Sequence, residues 1–187
     1  MSTSTVDRNP KELVLLAKAG DSEAFSLLYD LYFMPLYRYV YFRVPSKEEA
    51  EDMVQTVFLK AYEHLGRYED RGKDPLAFFY TIARNSVLDF FRKKRELLPD
   101  RPEAIQEYAE QSKEGTSAGQ GAFDREHRET LETALKVLSD DQRDAIVLKY
   151  LNDWLNADIA DFLGKSEEAV RQLQSRGLKI LREHVKI

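Results

Sequence analysis

The stretch FFYTIARNSVLDFFRKKR, Phe78 to Arg95, reads as one long amphipathic helix. At helical spacing Phe79, Ile82, Ala83, Ser86, Val87 and Phe90 fall on one stripe, and Thr81, Arg84, Leu88, Arg92 and Arg95 fall on the opposite side. One face can enter a core while the other offers cations. The stretch alone leaves two readings open: a core helix with a solvated basic side, or a helix whose basic side meets an anion.

The same period runs through the rest of the chain, punctuated by helix caps. Asn9-Pro10-Lys11-Glu12 opens a short helix, with Asn9 as cap and Glu12 placed to reach back, and Gly20 stops it. Asp21 caps the next helix, whose apolar stripe Ala24, Phe25, Leu28, Leu31, Tyr32, Leu36, Tyr39 and Val40 runs to about Val44 with a bend expected near Pro35. Ser46-Lys47-Glu48-Glu49 is a capping box for a helix that turns Ala50, Val54, Val57, Phe58, Ala61 and Leu65 inward before Gly66 ends it. After the polar loop RYEDRGKD, Asp74 and Pro75 open the helix of the Phe78 stretch, which must stop before Pro99.

From Leu97 to Asp124 the periodicity fades, and Pro99, Pro102 and the segment SKEGTSAGQGAF mark a flexible linker. Regular pattern resumes at Leu131, Leu135 and Leu138, followed by a capping box at Ser139 to Gln142 and a helix through Ala145, Ile146 and Leu148. Asn156 is placed to cap a short helix carrying Ile159, Ala160 and Leu163. Gly164 ends it, and Ser166 caps a longer one with Val170, Leu173, Gly177 and Leu181 inward. No stretch alternates as a strand does. The expected fold is all-α, with two small helical domains over residues 1–96 and 125–187 joined by a linker over 97–124.

Composition narrows the function. No apolar run approaches the roughly 18 residues of a membrane span, and MSTSTVDRNP lacks the basic start and apolar centre of a signal peptide, so a cytoplasmic protein with no membrane insertion is expected. Cysteine is absent, and His64, His127 and His184 are scattered, so neither a metal nor another cofactor is expected. The net charge of -5 conceals an asymmetry. Residues 96–132 hold ten acids and four bases, whereas residues 165–187 hold three acids and six bases.

Three surfaces carry candidate chemistry. The Ser166 helix gathers Arg171, Gln172, Ser175, Arg176 and Lys179 on its exposed side, behind a short helix and a glycine turn. That is a helix-turn-helix pattern, and these side chains suit a major groove, where arginine grips a guanine edge and glutamine an adenine. A plain helical hairpin with a basic face remains the other reading. In the N-terminal half, Tyr62, Tyr68, Phe78 and Tyr80 lie in or beside the basic helix and its loop, where an aromatic stacked on an unpaired base is worth about 1–3 kcal/mol. The same rings can serve only as core. Glu48, Glu51, Asp52 and Gln55, with Lys60, form an acidic and amide face that would repel DNA and, if functional, meet a protein.

Taken together, DSEAFSLLYDLYFMPLYRYVYFR, AEDMVQTVFLKAYEHLGRYE, FFYTIARNSVLDFFRKKR and the segment from Asp158 to Arg182 resemble the successive regions of a bacterial sigma factor of the extracytoplasmic-function type, in the sigma-70 family. The resemblance implies a first domain, sigma region two, that docks on the clamp helices of RNA polymerase and opens the minus-ten element. It implies a second, sigma region four, that binds the polymerase flap and reads the minus-35 element. It places Asp52 and Gln55, with Glu51 and Lys60 as neighbours, on the polymerase-docking helix. Tyr68 falls at the entry to the base-capturing loop and Asn85 at a position facing minus-ten bases, with Tyr80, Arg84, Asp89 and Arg92 nearby. Phe78 stands where the family usually has tryptophan, and Leu173 where many members have arginine, while Arg171 and Arg176 match.

The expected function is promoter specificity without catalysis. The partners are core RNA polymerase, promoter DNA in duplex and single-stranded form, and an anti-sigma factor covering both domains. No phosphate-binding glycine loop follows a strand, since Gly115, Gly119 and Gly121 lie in the linker, and no Ser/His/Asp spacing is legible. A free-standing helix-turn-helix regulator, or a protein-interaction module related to sigma factors, are the competing classes.

Overall fold

The computed structural model describes residues 9–70, 72–97, 130–131 and 133–184. Among these residues all regular structure is helical. Most of the expected linker, 98–124, lies outside them.

The N-terminal helices are α1 (Pro10–Lys18), α2 (Ser22–Tyr41), α3 (Lys47–His64) and α4 (Leu76–Leu97). Short-range chemistry sets their starts. Asn9 accepts a hydrogen bond from the Lys11 backbone at 3.0 Å, Asp21 from Ala24 at 3.0 Å and Ser46 from Glu49 at 3.2 Å. At Ser46 the expected reciprocal bond gives way to a tertiary one, because the Glu49 carboxylate pairs with Lys94 near the end of α4 at 3.0 Å. Asp74 accepts from Leu76 N–H at 2.8 Å and from the Tyr32 hydroxyl at 2.9 Å, tying the start of α4 to α2. Gly20 adopts a φ of 99° after α1, as its stop role requires. Gly66 instead sits inside a single 3₁₀ turn, Leu65–Arg67, that follows α3. Helix α2 runs without a break through Pro35, whose carbonyl accepts from the Tyr80 hydroxyl at 3.1 Å, and it ends at Tyr41, short of Val44.

Helices α2, α3 and α4 pack against one another, and α1 covers α2. At their centre Phe79 is fully buried, with ring centroids of Tyr32, Phe58 and Phe78 5.2, 5.5 and 5.6 Å away. Ala83, Ser86 and Val87 are also buried, with Ile82 and Phe90 partly so, which is the inward stripe that the α4 sequence predicts.

The C-terminal helices are α5 (Asp140–Ile146), α6 (Asn156–Leu163) and α7 (Glu167–His184), with a π-helical turn over Val147–Leu151 and helical backbone at 130–131 and 133–136. The capping box at Ser139 and Gln142 is complete, and Ser166 accepts from Ala169 N–H at 3.2 Å. Arg143 binds the carbonyls of Leu135, Lys136 and Leu138, satisfying the open end of the segment before α5. Asn156 is a correction: it is the first residue of α6, Leu155 is the cap, and the Asn156 side chain accepts from Gln174 on α7 at 3.0 Å. Gly164 ends α6 in the left-handed conformation, φ 64°. Gly177 lets α7 lie close on α5, since a Cβ there would stand 2.6 Å from Ile146 Cδ1.

The two helical groups are in contact. A run of aromatic rings, Tyr39, Tyr80, Trp154 and Phe162, crosses between them at centroid spacings of 5.0, 4.9 and 5.7 Å. Beside it Asp144 of α5 is wholly buried against Tyr39, Arg43 and Arg84.

Candidate nucleic-acid interface

The second helix of the C-terminal pair presents the clearest binding face. Arg171, Gln172, Ser175, Arg176 and Lys179 are all exposed on α7, while Val170, Gln174 and Gly177 are buried beneath them. The turn at Gly164 sets α6 and α7 as a helix-turn-helix, and Gln174, bonded to Asn156 and to the Ala145 carbonyl at 3.4 Å, fixes the angle from inside. Arg171 is held by Glu167 and Glu168 at 3.1 and 3.3 Å, and Gln172 lies 3.5 Å from Glu168. These pairs are exposed, so each contributes little to the stability of the helix.

The residues expected at minus-ten fall into two sets. Asn85 and Arg92 are exposed on α4, with Arg92 paired to the half-exposed Asp89 at 3.0 Å. Tyr68, Tyr80 and Arg84 are instead engaged within the molecule. Tyr68 is buried, its ring edge-on to Phe78 at 5.6 Å and its carbonyl accepting from Lys18 at 2.9 Å; burial, with Asp70 and Asp74 nearby, pushes its phenol up. Tyr80 has no exposure and stacks edge-on against Trp154; burial above all pushes its hydroxyl pKa up. Burial pulls the Arg84 guanidinium down, but the hydrogen bond and charge of Asp144 more than offset it, so the net shift is upward. Arg84 meets Asp144 at 3.1 Å and Asp141 at 3.3 Å. A cleft of about 760 Å³ opens alongside, lined by Tyr68, Phe78 and Thr81 on one wall and Trp154, Asp158 and Phe162 on the other.

On α3, Asp52 and Gln55 are exposed one turn apart. Glu51 is half-buried and pairs with Lys47 at 3.6 Å, and the Lys60 ammonium donates to Ser86 at 3.0 Å. Leu59 and Tyr62 add exposed apolar surface on the same helix, with Tyr62 edge-on to Phe25 at 5.0 Å. Three residues of the contact were missed from sequence: Arg43, Asp144 and Trp154. Nothing in their local spacing distinguishes them from the flanking apolar and polar pattern.

A family model described as sigma-70 region 2 matches residues 28–96, and one described as sigma-70, region 4 matches residues 134–183. The chain belongs to the sigma-70 family. Relatives that it is similar to are extracytoplasmic-function (ECF) sigma factors. The ECF RNA polymerase sigma factor BldN of Streptomyces coelicolor is 34% identical over 91% of this chain and 63% of its own length. SigX of Bacillus subtilis, also an ECF RNA polymerase sigma factor, is 29% identical over 88% of this chain and 85% of its own. This chain therefore spans somewhat under two thirds of BldN. Two solved structures share the fold. One is CnrH in complex with the cytosolic domain of CnrY, with TM-score 0.68 and 21% identity over 95% of this chain and 97% of that one. The other is the sigma factor RpoE in complex with the anti-sigma factor NepR from Bartonella quintana, with TM-score 0.70 and 24% identity over 87% and 97%. Helices α2 to α4 are thus region 2, and α5 to α7 region 4. No helix among the described residues is long and apolar enough to cross a membrane.

Proposed function

We propose that this sigma-70 family chain binds core RNA polymerase, directs it to promoters through their minus-35 and minus-10 elements and assists strand opening, while the polymerase performs the chemistry. The observation that carries this reading is the exposed face of α7, Arg171, Gln172, Ser175, Arg176 and Lys179, set behind the Gly164 turn in a region-4 match. Arginine and glutamine there can read base edges in duplex DNA, each bidentate pair discriminating by about 1–3 kcal/mol. Region 2 supplies the second contact. The polar edge of α4 around Asn85 faces minus-ten bases, and the α3 face around Asp52 and Gln55, with Glu51 and Lys60 beside it, docks on the clamp of the polymerase. An anti-sigma protein is a further partner, by analogy with the RpoE complex. Transcription from a matched promoter with purified core polymerase tests the reading: stimulation by this chain is expected, and no stimulation together with no complex would reject it.

Asn85 gives the cleaner test of the minus-ten assignment. Being exposed, it can be replaced with stability unchanged within about 0.5 kcal/mol. Asn85→Ala is expected to weaken promoter opening roughly tenfold, the scale of one lost base contact, while polymerase binding is retained. Permanganate footprints with wild-type intensity would reject it. Tyr68→Ala is expected to weaken opening too, but Tyr68 is also core, so its loss combines a DNA effect with a packing one.

A further inference from the structure

The buried contact between regions 2 and 4 has an uneven construction. Region 2 contributes only donors: the Tyr39 hydroxyl from α2, the Arg43 guanidinium just after it and the Arg84 guanidinium from α4. Region 4 contributes acceptors, with the buried Asp144 carboxylate at the centre and Asp141 3.3 Å from Arg84 at the rim. One oxygen of Asp144 accepts from Tyr39 at 2.7 Å and from Arg43, and the other accepts from Arg84 Nε at 3.1 Å. Arg43 also reaches the Asp140 carbonyl at 3.5 Å and lies 4.5 Å over the Tyr39 ring.

Two guanidinium groups held beside one another need an anion between them, because an uncompensated buried charge is costly. When region 4 moves away, the three donors remain together on region 2 without the carboxylate that they bind in the closed arrangement. The carboxylate also leaves the seat partly filled, since Arg43 Nε is buried with no hydrogen-bond partner. A phosphodiester has the same charge and planar-fork complementarity to arginine as a carboxylate, together with further acceptor oxygens. The seat adjoins the minus-ten edge, because Arg84 precedes the exposed Asn85 on α4.

We propose that Tyr39, Arg43 and Arg84 form a backbone-phosphate seat for promoter DNA, and that in this closed arrangement Asp144 of region 4 occupies it as a phosphate mimic. The inference rests on the promoter-binding reading of the chain. Region 4 then silences region 2 in the free protein, since the same movement that fills the seat also covers Tyr80 with Trp154 and Phe162. The exposed Lys73–Asp161 pair and the Lys165–Asp141 pair at 3.0 Å flank the contact and are open to screening.

A backbone contact does not depend on base sequence, so the test uses the full chain and a fluorescein-labelled oligothymidylate strand, followed by anisotropy. Asp144→Ala is expected to tighten binding roughly tenfold, the factor by which a closed state populated about nine times in ten masks the site. Arg43→Gln in the Asp144→Ala background removes one charge and is expected to weaken binding again by about tenfold and to lower the salt slope by about one. A merely structural Arg43 would change neither slope nor affinity once Asp144 is gone. As a second readout, Lys73→Cys with Asp161→Cys, in a chain that has no other cysteine, is expected to cross-link with a short thiol-specific reagent, and Asp144→Ala to reduce the yield. Equal affinities for wild type and Asp144→Ala, or an Arg43→Gln change without effect in the Asp144→Ala background, would overturn the proposal. Failure of the promoter reading is seen separately, as absence of stimulated transcription by core polymerase with every variant.

Discussion

Phe79→Ala is expected to destabilise the region 2 helices by about 3–5 kcal/mol, the range for removing a large aromatic from a closed core. Phe79 has no exposure, and the rings of Tyr32, Phe58 and Phe78 surround it, so deletion leaves a cavity bounded by three stiff side chains that cannot simply collapse. Domains of this size are stable by about 5–15 kcal/mol in total, so the change consumes a large share. Urea denaturation followed by far-ultraviolet circular dichroism measures it. Phe90, on the same stripe but only partly buried, sets the comparison, and Phe90→Ala is expected to cost less. Equal shifts for the two would show that Phe79 is not the centre of the packing.

Asp52→Arg combined with Gln55→Ala is expected to weaken binding to core polymerase by at least about a hundredfold, which corresponds to roughly 3 kcal/mol. Both side chains project from α3 into solvent, so folding should be untouched. The reversal turns an attractive contact into a repulsive one, and a like-charge juxtaposition at an interface costs several kcal/mol. Leu59 and Tyr62, exposed farther along α3, would remain, and their apolar area alone does not restore register. Co-migration of the double variant with core, at wild-type concentrations, would count against this docking face.

What the sequence made legible was what short-range chemistry controls. The caps at Asn9, Asp21, Ser139 and Ser166 lie within three residues of the backbone groups they bind, and the stripe of Phe79, Ala83 and Val87 follows from the helical period. Where the reading failed, a distant partner competed. Asn156 gives its side chain to Gln174, eighteen positions away, and Glu49 gives its carboxylate to Lys94. The Arg43–Asp144 pair joins positions 101 apart, and each residue by itself looks like an ordinary charge at the edge of an apolar run. The candidate site divided along the same line. The α7 face could be drawn from spacing, whereas the engagement of Tyr80 and Arg84 by region 4 depends on how the two regions meet.

The aromatic crossing between those regions makes the molecule its own optical probe. Trp154 is the one tryptophan of the sequence and sits against Tyr80 and Phe162 at the boundary. Its indole emission therefore reports a single location, and tyrosine-to-tryptophan energy transfer from Tyr80 falls steeply as the rings separate. A test of whether regions 2 and 4 separate on adding a DNA strand, which carries no tryptophan, can therefore be run in real time on the unmodified chain, with no attached dye.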